Sequence, residues 1–192
     1  MPTSSINPAP AIEMSRISRP PRLVLVVQRA VAPRWLPGNG KLREWAASVL
    51  VEDVEATVRL VGRKEARALN GKFRGRRNAT NVLTFGYPES RPLAGDIAIC
   101  VPVVEREASL QGKAREAHLA HLLVHGMLHL QGFDHRRRID AELMEGIERE
   151  IIGKLGYPDP YKPALRRRRA GVGRKAGTWG RRRNSLRAQR DR

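Results

Sequence analysis

The residues with the clearest potential for chemistry are the histidines, because all five lie within eighteen residues of one another. A lone histidine among apolar neighbours is usually a packed core residue, but several buried imidazoles side by side are costly without partners. A metal ion removes that cost, since neutral imidazole is a common metal ligand in proteins. Four of the five recur every three or four residues, which places them on one stripe of a helix: His118, His121, His125 and His129.

Three histidines have the spacing of a single metal site. The segment from His125 to His135 has the pattern H-x3-H-x2-G-x2-H, which is the ligand spacing of the long zinc-protease motif. His125 and His129 lie one helical turn apart, and Gly132 can end the helix so that His135 follows from the turn beyond. We therefore predict one ion on these three histidines. Zinc suits the ligands best, while nickel and other ions stay open.

The pattern differs from the protease motif at one position. Gly126 stands where the motif has its glutamate, so the usual peptidase mechanism lacks a proton acceptor. Three histidines with an open fourth position are still typical of a catalytic metal, which can polarise a phosphoryl oxygen or lower the pKa of water. We expect His121 and Asp134 to support the ligands through hydrogen bonds rather than to bind the ion, and His118 to orient a ligand or to pack.

The elements that must position these residues alternate along the chain. Hydrophobic patterns predict strands over about 23–27, 57–61, 82–85 and 96–101, and helices over about 42–49, 63–70, 113–130 and 139–155. The third helix is apolar around nearly its whole circumference, as expected of a helix in the middle of a domain. The order βαβαββαα predicts an α+β fold: a single domain with a small mixed four-stranded sheet and a central helix that carries the histidines.

Charge and composition divide the chain into three parts. Residues 1–21 are predicted to be a disordered extension, 22–162 a folded domain, and 163–192 a disordered basic tail. The formal charge is +18, and residues 165–192 carry eleven arginines and one lysine against one aspartate. This bias predicts binding to polyanions, with the tail on the phosphate backbone of nucleic acid. The absence of an apolar leader or span predicts a cytoplasmic protein without a membrane partner.

Further basic residues lie close to the histidines in the sequence or in the predicted fold. Arg74 and Arg76 stand in a basic, glycine-containing segment, and Arg136 follows the third predicted ligand directly. A guanidinium group matches two phosphate oxygens at once, so these three arginines are candidates for holding an anionic substrate.

The chain resembles the YbeY family of bacterial metal-dependent endoribonucleases, which act in rRNA maturation. The matching stretches are residues 121–135, 69–75, 80–85 and 95–97, within a resemblance that spans about 22–158. It implies zinc on the three histidines, catalytic roles for His125 and Arg74, and cleavage of single-stranded RNA by the domain at 22–162. It also implies roles in 16S rRNA 3′-end processing and ribosome quality control, with rRNA and ribosomal particles as partners.

Some positions depart from the family pattern. Arginines at 136–138 stand where acidic residues are usual, Thr84 where serine is common and Gly86 where proline is common. The N-terminal extension and the tail lie outside the resemblance.

Three functions stay open at this level. An endoribonuclease agrees with the open histidine site, the arginines and the charge. A metallopeptidase or other amide hydrolase shares the ligand spacing, but Gly126 counts against it. A non-catalytic ribosome-assembly factor, in which the metal only stabilises the fold, would use the same ligands. Water and the RNA 2′-hydroxyl are both possible nucleophiles.

Overall fold

The fold is described by a computed structural model for residues 19–135 and 137–162. Its first six elements follow the predicted order βαβαββ, and three consecutive helices then complete the domain. The elements are β1 (Leu23–Arg29), α1 (Asn39–Ala47), β2 (Val54–Val61), α2 (Arg63–Arg74), β3 (Val82–Tyr87), β4 (Leu93–Cys100), α3 (Val101–Gln111), α4 (Arg115–Leu130) and α5 (Arg138–Lys154).

The four strands form one mixed sheet in the order β1-β2-β4-β3. β1 pairs with β2 and β2 with β4 in parallel, whereas β3 and β4 form an antiparallel hairpin. Helical connections join the parallel strands, and the short turn between β3 and β4 is compatible only with antiparallel pairing. The predicted α+β class and mixed four-stranded sheet are therefore confirmed.

The histidine-bearing helix α4 is the centre of the domain. Ten of its sixteen residues are buried, and it packs against β3 and β4 as well as α1, α3 and α5. Leu42, Trp45 and Ala46 of α1 are also buried, as their spacing predicts. Because α4 is enclosed by the sheet and by other helices, its apolar side chains fix the positions of the histidines between them.

The predicted element order misses one helix, α3. The structure has βαβαββααα, since α3 begins at Val101, directly after the last residue of β4. The β-branched residues Val101, Val103 and Val104 continue the apolar run of the strand, so the pattern favours a longer strand. Pro102 supplies the actual signal, because its fixed φ suits the first turn of a helix.

Two predicted helices need smaller corrections. α2 continues past Gly71 to Arg74 and ends at Gly75, whose φ of 66° is the left-handed conformation that closes a helix. In α5, the recurrence of apolar residues every four positions from Ile139 and Leu143 predicts a buried face, but the exposed fractions of these two residues are 79% and 58%. The buried face of α5 is displaced by one position and includes Met144, Glu148 and Ile152.

Several predictions concern regions without a described structure. The N-terminal extension is described only from residue 19, and residues 163–192 of the basic tail lie outside the described residues. The boundaries of the predicted folded domain therefore stay a prediction. None of the described helices combines the length and the apolar character that a bilayer crossing requires.

Candidate metal centre

The end of α4 brings the three predicted ligands together. His125 and His129 lie on its last two turns, and the backbone N–H of Gly132 donates to the His129 carbonyl at 3.1 Å to close the helix. Gly132 has a φ of 87°, a conformation that L side chains rarely adopt. The chain therefore turns back at this glycine, and the His135 ring comes to lie 5.0 Å from the His129 ring.

The separations within this group fit a single ion. One ring nitrogen from each of His125, His129 and His135 lies within 4.8 Å of the others. The Nε2 atoms of His125 and His129 are 3.1 Å apart. Two nitrogens that bind one tetrahedral zinc at about 2.0–2.1 Å are about 3.3 Å apart, so this pair needs little adjustment. The histidine cluster can therefore hold a metal ion.

Glu148 of α5 orients the first of these ligands. Its carboxylate is fully buried, and its Oε1 accepts a hydrogen bond from Nδ1 of His125 at 2.7 Å. An ionised carboxylate can only accept, so the proton of a neutral His125 ring must sit on Nδ1. Nε2 then has its lone pair available, and a second interaction of this kind is typical of histidines that bind metals.

The same carboxylate also holds His121 and Tyr161. Oε2 of Glu148 accepts a hydrogen bond from Nε2 of His121 at 3.0 Å and another from the Tyr161 hydroxyl. Burial alone would raise the pKa of Glu148, but the hydrogen bonds from His121, His125 and Tyr161 outweigh it and lower that pKa to about 2. Glu148 is consequently an anion at neutral pH, although it lies in the core.

Sequence reasoning missed Glu148 and Tyr161. A glutamate on a surface helix is normally exposed, so Glu148 was not among the predicted site residues. One signal was available, because Met144, Glu148 and Ile152 follow at intervals of four and all three are buried. A carboxylate in the middle of such an apolar stripe requires a partner, which explains why the buried face of α5 differs from the predicted one.

The remaining ring nitrogens have distinct environments. Burial, followed by the neighbouring His125 and His135 rings, lowers the pKa of His129 and so favours the neutral form that binds metals. His118 lies further along the stripe and is 5% exposed, with Nε2 2.9 Å from a carboxylate oxygen of Glu107 on α3. His118 therefore packs and links α3 to α4, as one of its two predicted roles required.

The three histidines open onto a cavity of about 610 Å³. Arg74 and Arg76 line it together with Thr84 of β3 and Asp134. Within the described part of the chain, neither arginine side chain forms a salt bridge or a hydrogen bond to another residue. The cavity thus combines possible metal ligands with two guanidinium groups, and guanidinium groups match phosphate oxygens well.

The residues that flank His135, the third predicted ligand, have different partners. Oδ1 of Asp134 accepts a hydrogen bond from the backbone N–H of His135 at 2.8 Å, which shapes the turn that presents this ring. Arg136 lies outside the described residues, so its predicted role in substrate binding stays a prediction. Arg137 forms a salt bridge with Asp140 at 2.7 Å and Arg138 one with Glu142 at 3.0 Å.

The position after the first ligand leaves no space for a general base. A Cβ atom on Gly126 would lie 2.9 Å from Cγ2 of Ile97 and 3.3 Å from the hydroxyl oxygen of Thr84. α4 therefore packs directly on the β3–β4 hairpin at this point. A glutamate at position 126, as in the protease motif, would require the helix and the sheet to move apart.

Comparison with known proteins identifies the family. The family model described as Endoribonuclease YbeY matches residues 40–156, well over half of the chain. The chain belongs to the endoribonuclease YbeY family. The family model covers every predicted metal ligand together with Arg74 and Glu148, whereas Tyr161 lies beyond the matched residues.

Proteins named endoribonuclease YbeY from several bacteria are similar over most of their length. The protein from Aromatoleum aromaticum is 56% identical over 143 residues, which cover 73% of this chain and 93% of the relative. The YbeY protein of Nitrosomonas europaea is 50% identical, with 72% and 85% covered, and that of Paraburkholderia phymatum is 49% identical, with 76% and 100% covered. This chain is therefore a member of an endoribonuclease family.

A solution structure from Thermotoga maritima is also similar. It is 26% identical, with 73% of this chain and 99% of the other covered, at a TM-score of 0.48.

Proposed function

We propose that this protein is a zinc-dependent endoribonuclease that cleaves single-stranded RNA. Its proposed role is 16S rRNA 3′-end processing and ribosome quality control in the cytoplasm, on ribosomal particles. The observation that carries the proposal is the cavity in which three histidines able to hold one ion lie with Arg74 and Arg76. Both parts of this arrangement suit a member of an endoribonuclease family, because the histidines are able to hold an ion and the arginines are able to bind a phosphate.

The donor set favours zinc over magnesium and calcium. His125, His129 and His135 offer three imidazole nitrogens and line the cavity, so an ion held by them would be accessible to a substrate in that cavity. Magnesium and calcium prefer oxygen ligands, whereas zinc binds imidazole readily and uses three protein ligands in catalytic sites. When bound, zinc supplies a positive charge that polarises a phosphoryl oxygen and makes a nearby hydroxyl or water a better nucleophile.

The protein groups have separable roles in this proposal. Arg74 holds the scissile phosphate through its guanidinium fork, and Arg76 neutralises charge on the same segment of RNA. His125 is held by Glu148 with its Nδ1 proton directed away from the cavity, so that Nε2 stays available. The roles of His121 and Asp134 are indirect, since His121 contacts Glu148 and Asp134 contacts the backbone of His135.

Two aromatic residues support a preference for unpaired RNA. Phe73 is 52% exposed and immediately precedes Arg74, and its ring centroid lies 4.8 Å from that of Phe85. Tyr87, the last residue of β3, which also contains Phe85, is 50% exposed. Exposed rings beside a phosphate-binding cavity can stack on bases that are not paired, whereas the bases of a duplex are inaccessible to them.

Hydrolysis of peptides is the weaker alternative. The peptidase mechanism places a carboxylate next to the first histidine, and the contacts of Gly126 with β3 and β4 leave no space for one. The arginines in the cavity also favour an anionic substrate over a peptide amide.

The decisive experiment compares the wild type with His129→Ala. Both proteins are purified in parallel, and bound zinc is measured together with cleavage of a single-stranded RNA and of the same sequence in a duplex. We expect about one zinc ion and cleavage of the single strand for the wild type only. Thermal unfolding of both proteins checks that His129→Ala still folds.

Other outcomes distinguish the alternatives. A wild type that binds zinc but cleaves no RNA, even within ribosomal particles, supports the non-catalytic assembly factor. A wild type without any metal contradicts the proposed site. An RNA with a single 2′-deoxy sugar at the cleaved linkage identifies the nucleophile, since a resistant linkage indicates attack by the 2′-hydroxyl.

A further inference from the structure

A second cavity lies beside the metal cavity, on the far side of the segment that follows α2. It has a volume of about 540 Å³, and five of its seven lining residues are cationic. They come from α2, from the following loop and from α3: Arg63, Lys64, Arg67, Arg77 and Arg106. The other two lining residues are Asn78 and Ala79, so no acidic side chain lines this cavity.

The five cations have no salt-bridge or hydrogen-bond partner among residues 19–135 and 137–162. Several basic residues elsewhere are paired with carboxylates: Arg59 forms a salt bridge with Glu65 at 2.6 Å and Lys41 one with Glu116 at 2.7 Å. Glu65 belongs to α2 as well, but it pairs with β2 and is not among the residues that line this cavity.

The positions of these cations are unfavourable for the isolated domain. Arg63 and Arg67 are separated by four residues on α2, where like charges repel. Arg63 and Lys64 also occupy the first turn of that helix, where the helix dipole disfavours positive charge. A local arrangement that reduces stability without an evident gain for the fold is typical of a functional site.

The second cavity shares a wall with the metal cavity. Arg76 lines the metal cavity and its neighbour Arg77 lines the basic one. The buried Asn70 lines the metal cavity, and its side-chain N–H donates to the backbone carbonyl of Asn78, a lining residue of the second cavity, at 2.6 Å. This hydrogen bond fixes the loop between the two cavities, so a strand that leaves one of them can continue to the other.

We infer that the basic cavity binds backbone phosphates of the same RNA strand, several nucleotides from the one at the metal. The inference rests on the proposed function, because it assigns a second contact to that substrate. The lining favours phosphate through charge and guanidinium geometry, and it offers no aromatic ring for a base. The contact is therefore independent of base sequence and lengthens the bound segment of RNA.

The test compares two full-length double variants of equal charge. Arg67→Gln with Arg106→Gln removes one cation of the basic cavity from each of its two helices. Arg34→Gln with Lys154→Gln removes two cations that line neither cavity. Zinc-loaded proteins are titrated with 2′-O-methyl oligouridylates of about 4 and about 16 nucleotides, a range that spans common single-strand site sizes. Fluorescence anisotropy reports binding, and gels after titration verify that the oligonucleotides are intact.

The expected result is a loss that depends on length. For the longer oligonucleotide, the cavity variant should raise Kd about fivefold or more at low salt, and the slope of log K against log salt should fall by about 0.7 per lost phosphate. The shorter oligonucleotide should lose much less, and the control variant should stay near the wild type for both. Thermal unfolding should show the cavity variant as stable as the wild type or more stable, since repulsion is relieved.

Two other results would overturn the inference. Equal binding by the cavity variant and the control variant means that the cavity does not contact RNA. The same holds if inorganic phosphate stabilises the wild type but not the cavity variant while RNA binding is unchanged, since the cavity then binds a free anion. Both differ from failure of the proposed function, in which the wild type cleaves no single-stranded RNA in the separate cleavage assay.

Discussion

Glu148 is the residue on which the geometry of the candidate metal centre depends most. It contacts no solvent, yet it is ionised because His121, His125 and Tyr161 donate hydrogen bonds to it. A buried charge that loses its partners strongly destabilises the fold, so the charge of Glu148 depends on the presence of all three donors. Glu148 also selects the tautomer of His125, which gives it influence over metal affinity without contact to the ion.

The first prediction concerns this carboxylate. Glu148→Gln keeps the size of the side chain but removes its charge, and a neutral amide holds the Nδ1 proton of His125 less strongly. We expect zinc affinity to fall about 10–100-fold, the usual effect of replacing such a partner. Competition with a chelator measures the affinity. The control is Glu150→Gln, since Glu150 is exposed on the same helix and, among the residues with a described structure, pairs with Lys154 alone. Equal affinities for both variants would contradict the role of Glu148.

The second prediction concerns the guanidinium group of Arg74. Arg74→Lys keeps the positive charge and removes the two-pronged geometry that matches a phosphate. We expect kcat/KM on single-stranded RNA to fall by at least about tenfold while zinc content stays at the wild-type value, as about 1.4 kcal/mol of binding would give. A variant with full activity would show that only the charge of Arg74 matters. A variant that loses zinc would instead show that Arg74 supports the structure of the metal site.

At the scale of elements, the site depends on how closely α4 approaches the β3–β4 hairpin. Gly126 faces Ile97 of β4, and Gly95 of the same strand lies against Leu130 at the end of α4. Both glycines are positions where a Cβ atom would come within 3.0 Å of a neighbouring atom. This contact determines the depth at which His125 and His129 sit above the cavity.

The third prediction tests this contact. Gly126→Ala forces its Cβ against Ile97, and we expect a loss of about 1–3 kcal/mol in the free energy of unfolding, the usual cost of overpacking. Gly146→Ala is the matched control, because Gly146 lies within α5 and a Cβ there meets nothing within 4 Å. That variant should gain up to about 1 kcal/mol, since alanine favours the helix. Denaturant unfolding measures both, and similar values for the two variants would contradict the close approach.

At this scale, features that depend on local sequence could be predicted, and features that depend on tertiary packing could not. The histidine cluster able to hold an ion could be predicted because its members are close in sequence, two on α4 and the third just beyond it. The buried face of α1 could be predicted because its period is regular. α3 could not, because its valines fit a strand as well as a helix. Glu148 was missed for another reason, since its partners lie 23 and 27 residues away in the sequence and only tertiary packing brings them together.

At the scale of the whole molecule, positive charge is concentrated in two neighbouring cavities and in the C-terminal segment. Arg74 and Arg76 lie in the metal cavity and the basic cavity adjoins it. The segment 165–192 adds a net charge of +11 outside the described residues. Charge of this kind accelerates encounter with RNA and increases affinity without sequence preference.

The fourth prediction separates the tail from the cavities. Removal of residues 165–192 should weaken binding of single-stranded RNA and flatten its salt dependence, because phosphate contacts contribute about 0.7 each to the slope. Zinc content should stay unchanged, since the ligands all lie before residue 136. Anisotropy titrations at several salt concentrations measure the slope. Unchanged binding after truncation would show that the tail does not contact RNA.

The position of Glu148 and Tyr161 in the chain also has a consequence for biosynthesis. The three histidines leave the ribosome before α5, and the carboxylate that aligns His125 follows 23 residues after it. A nascent chain therefore exposes arginines able to bind RNA before its metal centre is aligned. Since α5 must fold back onto α4 to complete the centre, full activity coincides with completion of the domain. A product truncated before α5 would keep the three histidines with Arg74 and Arg76, but it would lack the carboxylate that orients His125.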